Sequence, residues 1–308
     1  MDSISETATQ MNMFGGDWTL QKLEALRKYL NAYTTVLKNK PSRDNRFSLI
    51  YVDAFAGTGR VDLRDTQEAE DKSPLFPGWD ETTRAEVNEF LDGSAVIAME
   101  VTDRSFDRLL LIDIDADKVE DLRNVVEERE DSSRVQVIHG DANGEVEQFC
   151  KSMNGMDRAV VFLDPFGTQV SWSTVEALAD SQKCDVWILY PAITLARLLP
   201  LDRKPQLPSR INTLNRVFGG KEWESLYYSS GQVQFIGEEE EMVRNAGIDE
   251  IVGLYSQKMQ RVFAEVAPTR RTLRNSKGSP LYELVFAAGN PNGAPIAVDI
   301  AKHILQSL

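Results

Sequence analysis

The sequence predicts a doubly wound α/β fold with a mostly parallel sheet of about seven strands and a helical insertion before a closing hairpin. Three observations predict this fold class. Short apolar runs alternate along the chain with segments of helical periodicity. Four of these runs end in an acidic residue or within two residues of one, and the first is followed by a turn that contains two glycines. The apolar runs occupy about 47–53, 108–112, 135–139, 159–163 and 185–190.

Length and charge limit the classes of function. The 308 residues are enough for one large α/β domain with an insertion, and the net charge of −14 repels phosphate backbones at long range. Any contact with nucleic acid must therefore use a local basic patch or a partner. The two cysteines lack the spacing of metal ligands, so we expect no metal and a reducing compartment. Since no apolar run reaches the roughly 18 residues of a membrane span, we expect a cytoplasmic protein without a membrane contact.

The first helix is predicted over about 17–38, with Asp17 as its N-cap and leucines at helical spacing. Before it, Phe14-Gly15-Gly16 is a candidate flap near the ligand crevice. Residues 60–92 are charged and contain two prolines, which is typical of an insertion or a mobile loop. A short helix then begins at Gly93-Ser94-Ala95.

The first strand and its turn predict a cofactor site. Asp53 stands at the carboxyl end of the strand, where a doubly wound sheet opens its crevice, and the glycines allow the backbone to approach a ligand. A carboxylate at this place would repel a pyrophosphate but would attract a cation. This favours S-adenosyl-L-methionine (SAM), which carries sulfonium and ammonium groups, over a dinucleotide. The candidate residues for its methionine end are Asp53, Phe55, Ala56, Gly57, Thr58 and Gly59.

The next two strands supply candidates for the nucleoside part of the cofactor. Asp113, at the end of the second strand, is the candidate for the ribose hydroxyls, with Ile114 beside it. Asp115 is expected to cap a charged helix over 116–130. After the third strand, Asp141 and Ala142 are candidates for the adenine amino group. His139 fits packing better than catalysis.

The fourth strand ends in the most specific motif of the chain, Asp164-Pro165-Phe166-Gly167. Proline fixes φ and has no N–H, so the carbonyls around it are free to accept hydrogen bonds beside the carboxylate. An aromatic ring follows at once. This set of groups suits an exocyclic amine on a planar base, which acceptors hold and a ring stacks against. We therefore predict Asp164, Pro165 and Phe166 as catalytic residues, with Phe166 and Gly167 contacting substrate.

In the C-terminal part, the sequence pattern predicts a helical insertion over 195–260. It also predicts an antiparallel hairpin with strands at about 261–267 and 281–288. The cofactor domain then comprises 1–194 and 261–308, with a final helix from Pro295. Basic residues separate the two strands and are candidates for binding phosphates of a nucleic acid. They are Arg270, Arg271, Arg274 and Lys277.

Taken together, these motifs resemble class I SAM-dependent methyltransferases, which have a Rossmann-like fold. More narrowly, the three-Cys-motif partner protein family is similar in four stretches: Phe14-Gly15-Gly16, Asp53 to Gly59, Gly93-Ser94-Ala95 and Asp164-Pro165-Phe166-Gly167. The resemblance runs from about 14 to 300. It implies a winged-helix-like region within the insertion and a protein partner that carries a three-cysteine motif. Asp-Pro-Phe-Gly is also similar to the motif of tRNA guanine-N2 methyltransferases, whereas adenine-N6 enzymes commonly have Asp-Pro-Pro-Tyr.

Three hypotheses follow for the function. The first is transfer of a methyl group from SAM to an exocyclic amine of an RNA or DNA base. The second is a non-catalytic SAM- or nucleoside-binding protein that regulates a partner. The third is a methyltransferase that acts on a small molecule or a protein. The intact Asp53 and Asp164 motifs favour the first hypothesis over the second. The net charge favours the third, and the basic stretch at 270–277 favours nucleic acid again.

Overall fold

The structure is a computed structural model that describes residues 17–58, 93–199, 207–229, 242–244, 246–274 and 278–308. Several predicted features lie outside these ranges. They are the candidate flap Phe14-Gly15-Gly16, the insertion at 60–92, Gly59 and Lys277.

Nine α-helices lie within the described ranges. They are α1 (Asp17–Leu37), α2 (Ser94–Met99), α3 (Ala116–Glu127), α4 (Ala142–Ser152), α5 (Trp172–Ser181), α6 (Ala192–Leu198), α7 (Pro208–Phe218), α8 (Ile248–Val262) and α9 (Ala294–Ser307). Short 3-10 helices occur at Ser132–Arg134 and Glu222–Leu226.

Ten β-strands lie within the same ranges. They are β1 (Ser48–Asp53), β2 (Arg108–Asp113), β3 (Val135–His139), β4 (Asp157–Leu163), β5 (Cys184–Tyr190), β6 (Tyr227–Ser229), β7 (Met242–Arg244), β8 (Glu265–Val266), β9 (Arg271–Arg274) and β10 (Pro280–Ala288).

Eight of these strands form one sheet in the order β3-β2-β1-β4-β5-β10, and both β8 and β9 pair with the outer edge of β10. The strands β1 to β5 run parallel, and β10 is antiparallel to its neighbours. The predicted fold class, a mostly parallel α/β sheet closed by antiparallel strands, is therefore confirmed. A separate pair, β6 and β7, forms an antiparallel ribbon within the segment predicted as an insertion.

Helices cover both faces of the sheet, which explains why the central strands are apolar almost throughout. Because side chains alternate along a strand, β1 sends Leu49 and Tyr51 into one core and Ile50 and Val52 into the other. Helices α1, α2, α3 and α9 contribute to the first core, and α4 to α8 contribute to the second. Within the described ranges, no helix is both long enough and apolar enough to cross a lipid bilayer.

The closing strands differ from the prediction in two respects. Helix α8 continues to Val262, because Ile251, Tyr255 and Met259 keep its buried face in helical register. The strand expected over 261–267 is accordingly reduced to β8. Arg271 and Arg274, expected in the turn between two strands, lie on a strand of their own, β9. The edge next to β10 is thus built from two short strands rather than one.

A buried hydrogen bond connects helix α1 to the amino end of the sheet. The Tyr29 hydroxyl donates to Asp185 Oδ2 at 2.7 Å, although the two residues are 156 positions apart in sequence. Asp185 is 8% exposed, and burial raises its pKa from 3.8 to about 7, against the opposing effects of the Tyr29 hydrogen bond and of Arg158. The folded chain therefore binds this proton more tightly than the unfolded chain does.

This difference predicts how stability depends on pH. Because the pKa of Asp185 is raised on folding, its contribution to stability is greatest below its ordinary value of 3.8 and is lost as the pH rises towards about 7. The amide oxygen of the variant Asp185→Asn still accepts from Tyr29. As the pH rises from 3.8 to about 7, this variant should become more stable relative to the wild type. We expect a gain of up to about 1.4 kcal/mol per pH unit, measured by urea unfolding between pH 4 and pH 8.

The exposed residue Asp180 provides a matched control, because Asp180→Asn makes the same chemical change at the surface. Its unfolding free energy should follow that of the wild type over the same pH range. A stability difference for Asp185→Asn that is the same at every pH would contradict the assignment.

Candidate active site

The four acidic residues predicted at the ends of strands lie along one edge of the sheet. The strands β3, β2, β1 and β4 are consecutive neighbours and parallel, so their carboxyl ends meet at this edge. Asp53 and Asp113 are the last residues of β1 and β2, and Asp141 and Asp164 follow β3 and β4 closely. In open α/β sheets this edge forms the ligand crevice.

The turn after β1 is held in place by its neighbours on both sides. The Ala54 N–H donates to the Phe162 carbonyl at 3.1 Å, and the Ala56 N–H donates to the Ile112 carbonyl at 2.8 Å. Gly57 has φ of +62°, a left-handed conformation that favours glycine. The structure thus has the positive-φ turn that the two glycines predict, with Phe55 half-buried and Thr58 at the end of the described segment.

Asp113 links this turn to the loop after β2. One carboxylate oxygen accepts from the Gly57 N–H at 3.0 Å, and the other accepts from the Asp115 N–H at 2.9 Å. Asp115 caps α3 by accepting from two N–H groups of its first turn, as predicted. Ile114 between them is 71% exposed, and its carbonyl lies 3.0 Å from His139 Nε2. The crevice therefore has a carboxylate beside an exposed apolar side chain, which suits a ribose next to a base.

Asp141 caps the following helix. Its Oδ2 accepts from the Gly144 N–H at 3.0 Å at the start of α4, while Ala142 is buried in the first turn. Capping uses one of the two oxygens of this exposed carboxylate. The other remains able to accept from a ligand at the end of β3.

A buried ion pair lies at the end of β4. Lys22 Nζ, from α1, lies 2.5 Å from Asp164 Oδ2, and the two residues are 0% and 1% exposed. The ammonium is also 5.4 Å from the centre of the Phe162 ring. Breaking such a pair leaves an uncompensated charge in a low-dielectric interior, which is strongly unfavourable. Lys22 therefore holds α1 against the candidate catalytic carboxylate.

Asp53 adds a second carboxylate near the same ammonium. It is fully buried, and it accepts from the Tyr51 hydroxyl at 3.1 Å and the Phe55 N–H at 3.4 Å. Burial raises its pKa, against the hydroxyls of Ser94 and Tyr51 and the charge of Lys22. Burial also raises the pKa of Asp164 to about 7, despite the attraction of Lys22 and with a smaller contribution from Asp53. Two buried carboxyl groups thus lie near one ammonium, and burial favours the neutral form of both.

Asp164 also has an unused hydrogen-bonding position. Its Oδ1 is buried, and no described residue donates to it, whereas Oδ2 is paired with Lys22. A buried acceptor without a partner costs about 1–3 kcal/mol. An amine donor that reached this oxygen would satisfy it, and the acceptor role of Asp164 stays a prediction.

The rest of the Asp-Pro-Phe-Gly loop is held by local contacts. Pro165 and Gly167 are buried, and the Gly167 N–H donates to Gln169 Oε1 at 2.6 Å. Phe166 is half-buried and packs against the apolar core under α1. Beside the loop, Tyr190 is buried and stacks on Tyr255 with their ring centres 4.1 Å apart.

The predicted basic residues lie at the crevice end of the sheet, but internal contacts engage them. Arg270 pairs with Asp249 at 2.6 Å and with Glu283 at 3.4 Å. Arg271 donates to Gln21 at 3.0 Å and to the Leu308 carbonyl at 2.6 Å. Arg274 is exposed and donates to the Gly278 carbonyl at 3.1 Å. Among the described members of the stretch, Arg274 is the exposed one, and its charge lies close enough to Glu283 to lower the pKa of that carboxyl.

Sequence reasoning missed Lys22, although a signal for it was present. Lys22 lies four residues before Leu26 and seven before Tyr29, both buried, so it stands on the apolar face of α1. A lysine on that face needs a buried partner. The sequence pattern indicates no separate role for Ser94, at the start of α2, and the structure places its hydroxyl beside Asp53.

Comparisons with known proteins bear on the fold. No protein-family model matches the chain, and no curated protein matches its sequence. A Legionella pneumophila protein of the family model DUF519 is 14% identical over 95% of this chain and 91% of its own, with a TM-score of 0.50. Trm1 from Pyrococcus horikoshii, solved with SAM, is 14% identical over 89% and 57%, with a TM-score of 0.38. The glycopeptide N-methyltransferase MtfA, also with SAM, is 11% identical over 92% and 99%, with a TM-score of 0.33.

The buried ion pair predicts a pH-dependent effect of removing its cation. Lys22→Met leaves Asp164 and Asp53 without a counter-charge, so we expect a loss of about 3–5 kcal/mol of unfolding free energy at pH 8. The loss should be smaller at pH 5, where Asp164 is protonated. Urea unfolding at both pH values measures it.

The control is Lys28→Met on the same helix, because Lys28 pairs with Glu24 at the surface. It should change stability by about 0.5 kcal/mol or less at either pH. Similar losses for the two variants would show that Lys22 is not a buried counter-ion.

Proposed function

We propose that this protein is a SAM-dependent methyltransferase that transfers a methyl group to an exocyclic amine of a nucleic-acid base. The observation that carries the proposal is the buried carboxylate oxygen Asp164 Oδ1, which has no partner among the described residues and lies at the carboxyl edge of the sheet. Asp53, at the end of the neighbouring strand β1, provides a second carboxyl group near Lys22. We infer from these two carboxyl groups that an amine acceptor and a cofactor site lie side by side.

Each part of the cofactor has candidate binding residues at the carboxyl edge of the sheet. Asp53 and the Ala56 to Thr58 turn would hold the methionine end, whose ammonium and sulfonium match the excess of carboxylate. Asp113 would accept from the ribose hydroxyls, while Ile114 packs on the adenine and Asp141 accepts from its amino group. When bound, SAM supplies the electrophilic methyl group of the reaction.

The chain's own residues would then position the accepting amine and take up its proton. Asp164 Oδ1 accepts a hydrogen bond from the amine, which aims the nitrogen lone pair along the line of displacement. A carboxyl with a pKa of about 7 is also suited to exchange a proton at neutral pH. Positioning of this kind can contribute roughly 7–11 kcal/mol to lowering the barrier. The carbonyl of Pro165 and the ring of Phe166 would hold the base, and Gly167 lets its backbone approach closely.

Nucleic acid as substrate is favoured by the location of the basic residues rather than by overall charge. The strand β9 lies at the crevice end of the sheet, and exposed Arg274 would contact phosphates there. Arg270 and Arg271 would need to exchange internal contacts for phosphate contacts. We further propose that residues 195–260 form a winged-helix-like substrate module and that a three-cysteine-motif protein is the partner, as the family resemblance implies.

A non-catalytic binding protein is the second candidate, and one contact favours it. The Lys22 ammonium already occupies Asp164 Oδ2, so half of the carboxylate is engaged by an internal amine. In this alternative the crevice binds SAM and signals to a partner without turnover.

Cofactor binding tests the first part of the proposal. We expect calorimetry to show binding of SAM and S-adenosylhomocysteine, and Asp113→Ala should weaken it by about 100-fold. The reason is the loss of hydrogen bonds to a charged acceptor, worth about 1.5–3 kcal/mol each. Asp115→Ala is the control, because it removes only the cap of α3 and should leave affinity nearly unchanged. Unaltered affinity in folded Asp113→Ala would remove Asp113 from the site.

Methyl transfer tests the catalytic part. With labelled SAM and pools of tRNA, ribosomal RNA and DNA, Asp164→Asn should lower turnover by about 100-fold or more while changing SAM affinity little. Phe166→Ala should weaken substrate binding by about 1–3 kcal/mol, the value of one stacked base. The assay is run with and without a co-expressed three-cysteine-motif protein. A wild type that binds SAM but labels none of these pools would favour the binding protein.

A further inference from the structure

A second cleft lies at the opposite end of the sheet from the crevice. It opens between the C-terminal half of α1 and the first turns of α9, at the amino ends of β4 and β5, and its volume is about 410 Å³. Sites for small molecules commonly have volumes of about 300–1,000 Å³. None of the residues assigned above to cofactor or base lines this cleft.

The walls of the cleft are mainly apolar and aromatic. Tyr29 and Tyr33 of α1 face it together with Phe47, and Ile296 of α9 lines the other side. Four large apolar side chains are exposed within the described ranges, and two of them, Val36 and Ile296, belong to this cleft. Half of the exposed apolar side chains are thus concentrated at one opening.

Three cations accompany these apolar walls: Lys40, Arg158 and Lys183. The Arg158 guanidinium lies 4.1 Å from the centre of the Phe47 ring, and Lys183 Nζ donates to a backbone carbonyl at 3.3 Å. Within the described part of the chain, none of the three forms an ion pair with a carboxylate. Arg158 also donates to the carbonyls of Gly155 and Asp157, and its charge lowers the pKa of Asp185. A cluster of three cations is unusual in a protein with a net charge of −14.

One carboxylate lies inside the cleft. Asp185 is nine-tenths buried, and its hydrogen bond from Tyr29 uses Oδ2. Of the described residues, no other donates to it. The cleft thus combines apolar walls with three positive charges and one negative charge, which gives it a positive balance and makes it complementary to an anion.

We propose that this cleft binds a small organic anion with an apolar body. The body lies between the rings of Tyr29, Tyr33 and Phe47 and the side chain of Ile296. The anionic group faces Arg158 and Lys183. This inference is independent of the proposed methyltransferase function, because it involves other residues at the other end of the sheet.

The probe is anilinonaphthalene sulfonate, an aromatic anion of suitable size whose fluorescence rises in apolar surroundings. It is titrated against the 308-residue chain with and without saturating S-adenosylhomocysteine. We expect one saturable site whose affinity changes less than about twofold when S-adenosylhomocysteine is added. Displacement by S-adenosylhomocysteine would place the probe in the crevice and overturn the inference.

Three variants locate the probe. Ile296→Glu puts a negative charge at the opening and should weaken binding about fivefold or more. Leu207→Glu makes the same change at an exposed apolar residue outside the cleft and should have no effect. Asp185→Asn removes the one negative charge and should tighten binding at pH 8, where the Asp185 carboxyl is ionised. Equal effects of the two glutamate variants, or weaker binding by Asp185→Asn, would contradict an anion site here, provided that thermal unfolding shows all three to be folded.

Discussion

The buried pair of Lys22 and Asp164 is the interaction on which the arrangement of this molecule depends. A lysine and a carboxylate with almost no exposure have lost their hydration, and their close contact of 2.5 Å offsets part of that cost. The pair attaches the first helix to the end of the fourth strand. Since that strand carries the Asp-Pro-Phe-Gly motif, the same contact sets the position of the candidate catalytic residue and the start of the helix above it.

Helix α1 connects the two ends of the sheet through a second buried carboxylate. Lys22 and Tyr29 are seven residues apart, about two helical turns, and so lie on the same face. Lys22 bonds to Asp164 at the carboxyl end of β4, and Tyr29 bonds to Asp185 at the amino end of β5. Both carboxyls have a pKa raised to about 7 by burial. One helix thus contacts the crevice and the second cleft through groups that are sensitive to protonation.

The distribution of acidic and basic residues over the chain affects which ligands can bind. The chain has an excess of 14 negative charges, and the crevice edge carries four carboxylates on neighbouring strands. Two of the four, Asp53 and Asp164, are buried, and burial favours their neutral forms, so this edge is less negative than the number of carboxylates suggests. A polyanionic substrate would instead need local compensation, which β9 supplies in part. Because Arg270 and Arg271 already serve internal contacts, a partner protein that contributes positive charge would complement the surface.

The sequence alone determined the features that rest on local patterns. Periodicity and chain order located α1 and the five parallel strands, the position of Asp115 after a strand predicted its cap, and the glycines predicted the positive φ at Gly57. Tertiary structure alone decided that Lys22 meets Asp164 across 142 residues, that Arg271 and Arg274 form an edge strand, and that Asp185 lies in a second cleft. The physical reason is range: strands and caps depend on neighbouring residues, whereas burial of a charge depends on which distant group the fold brings beside it.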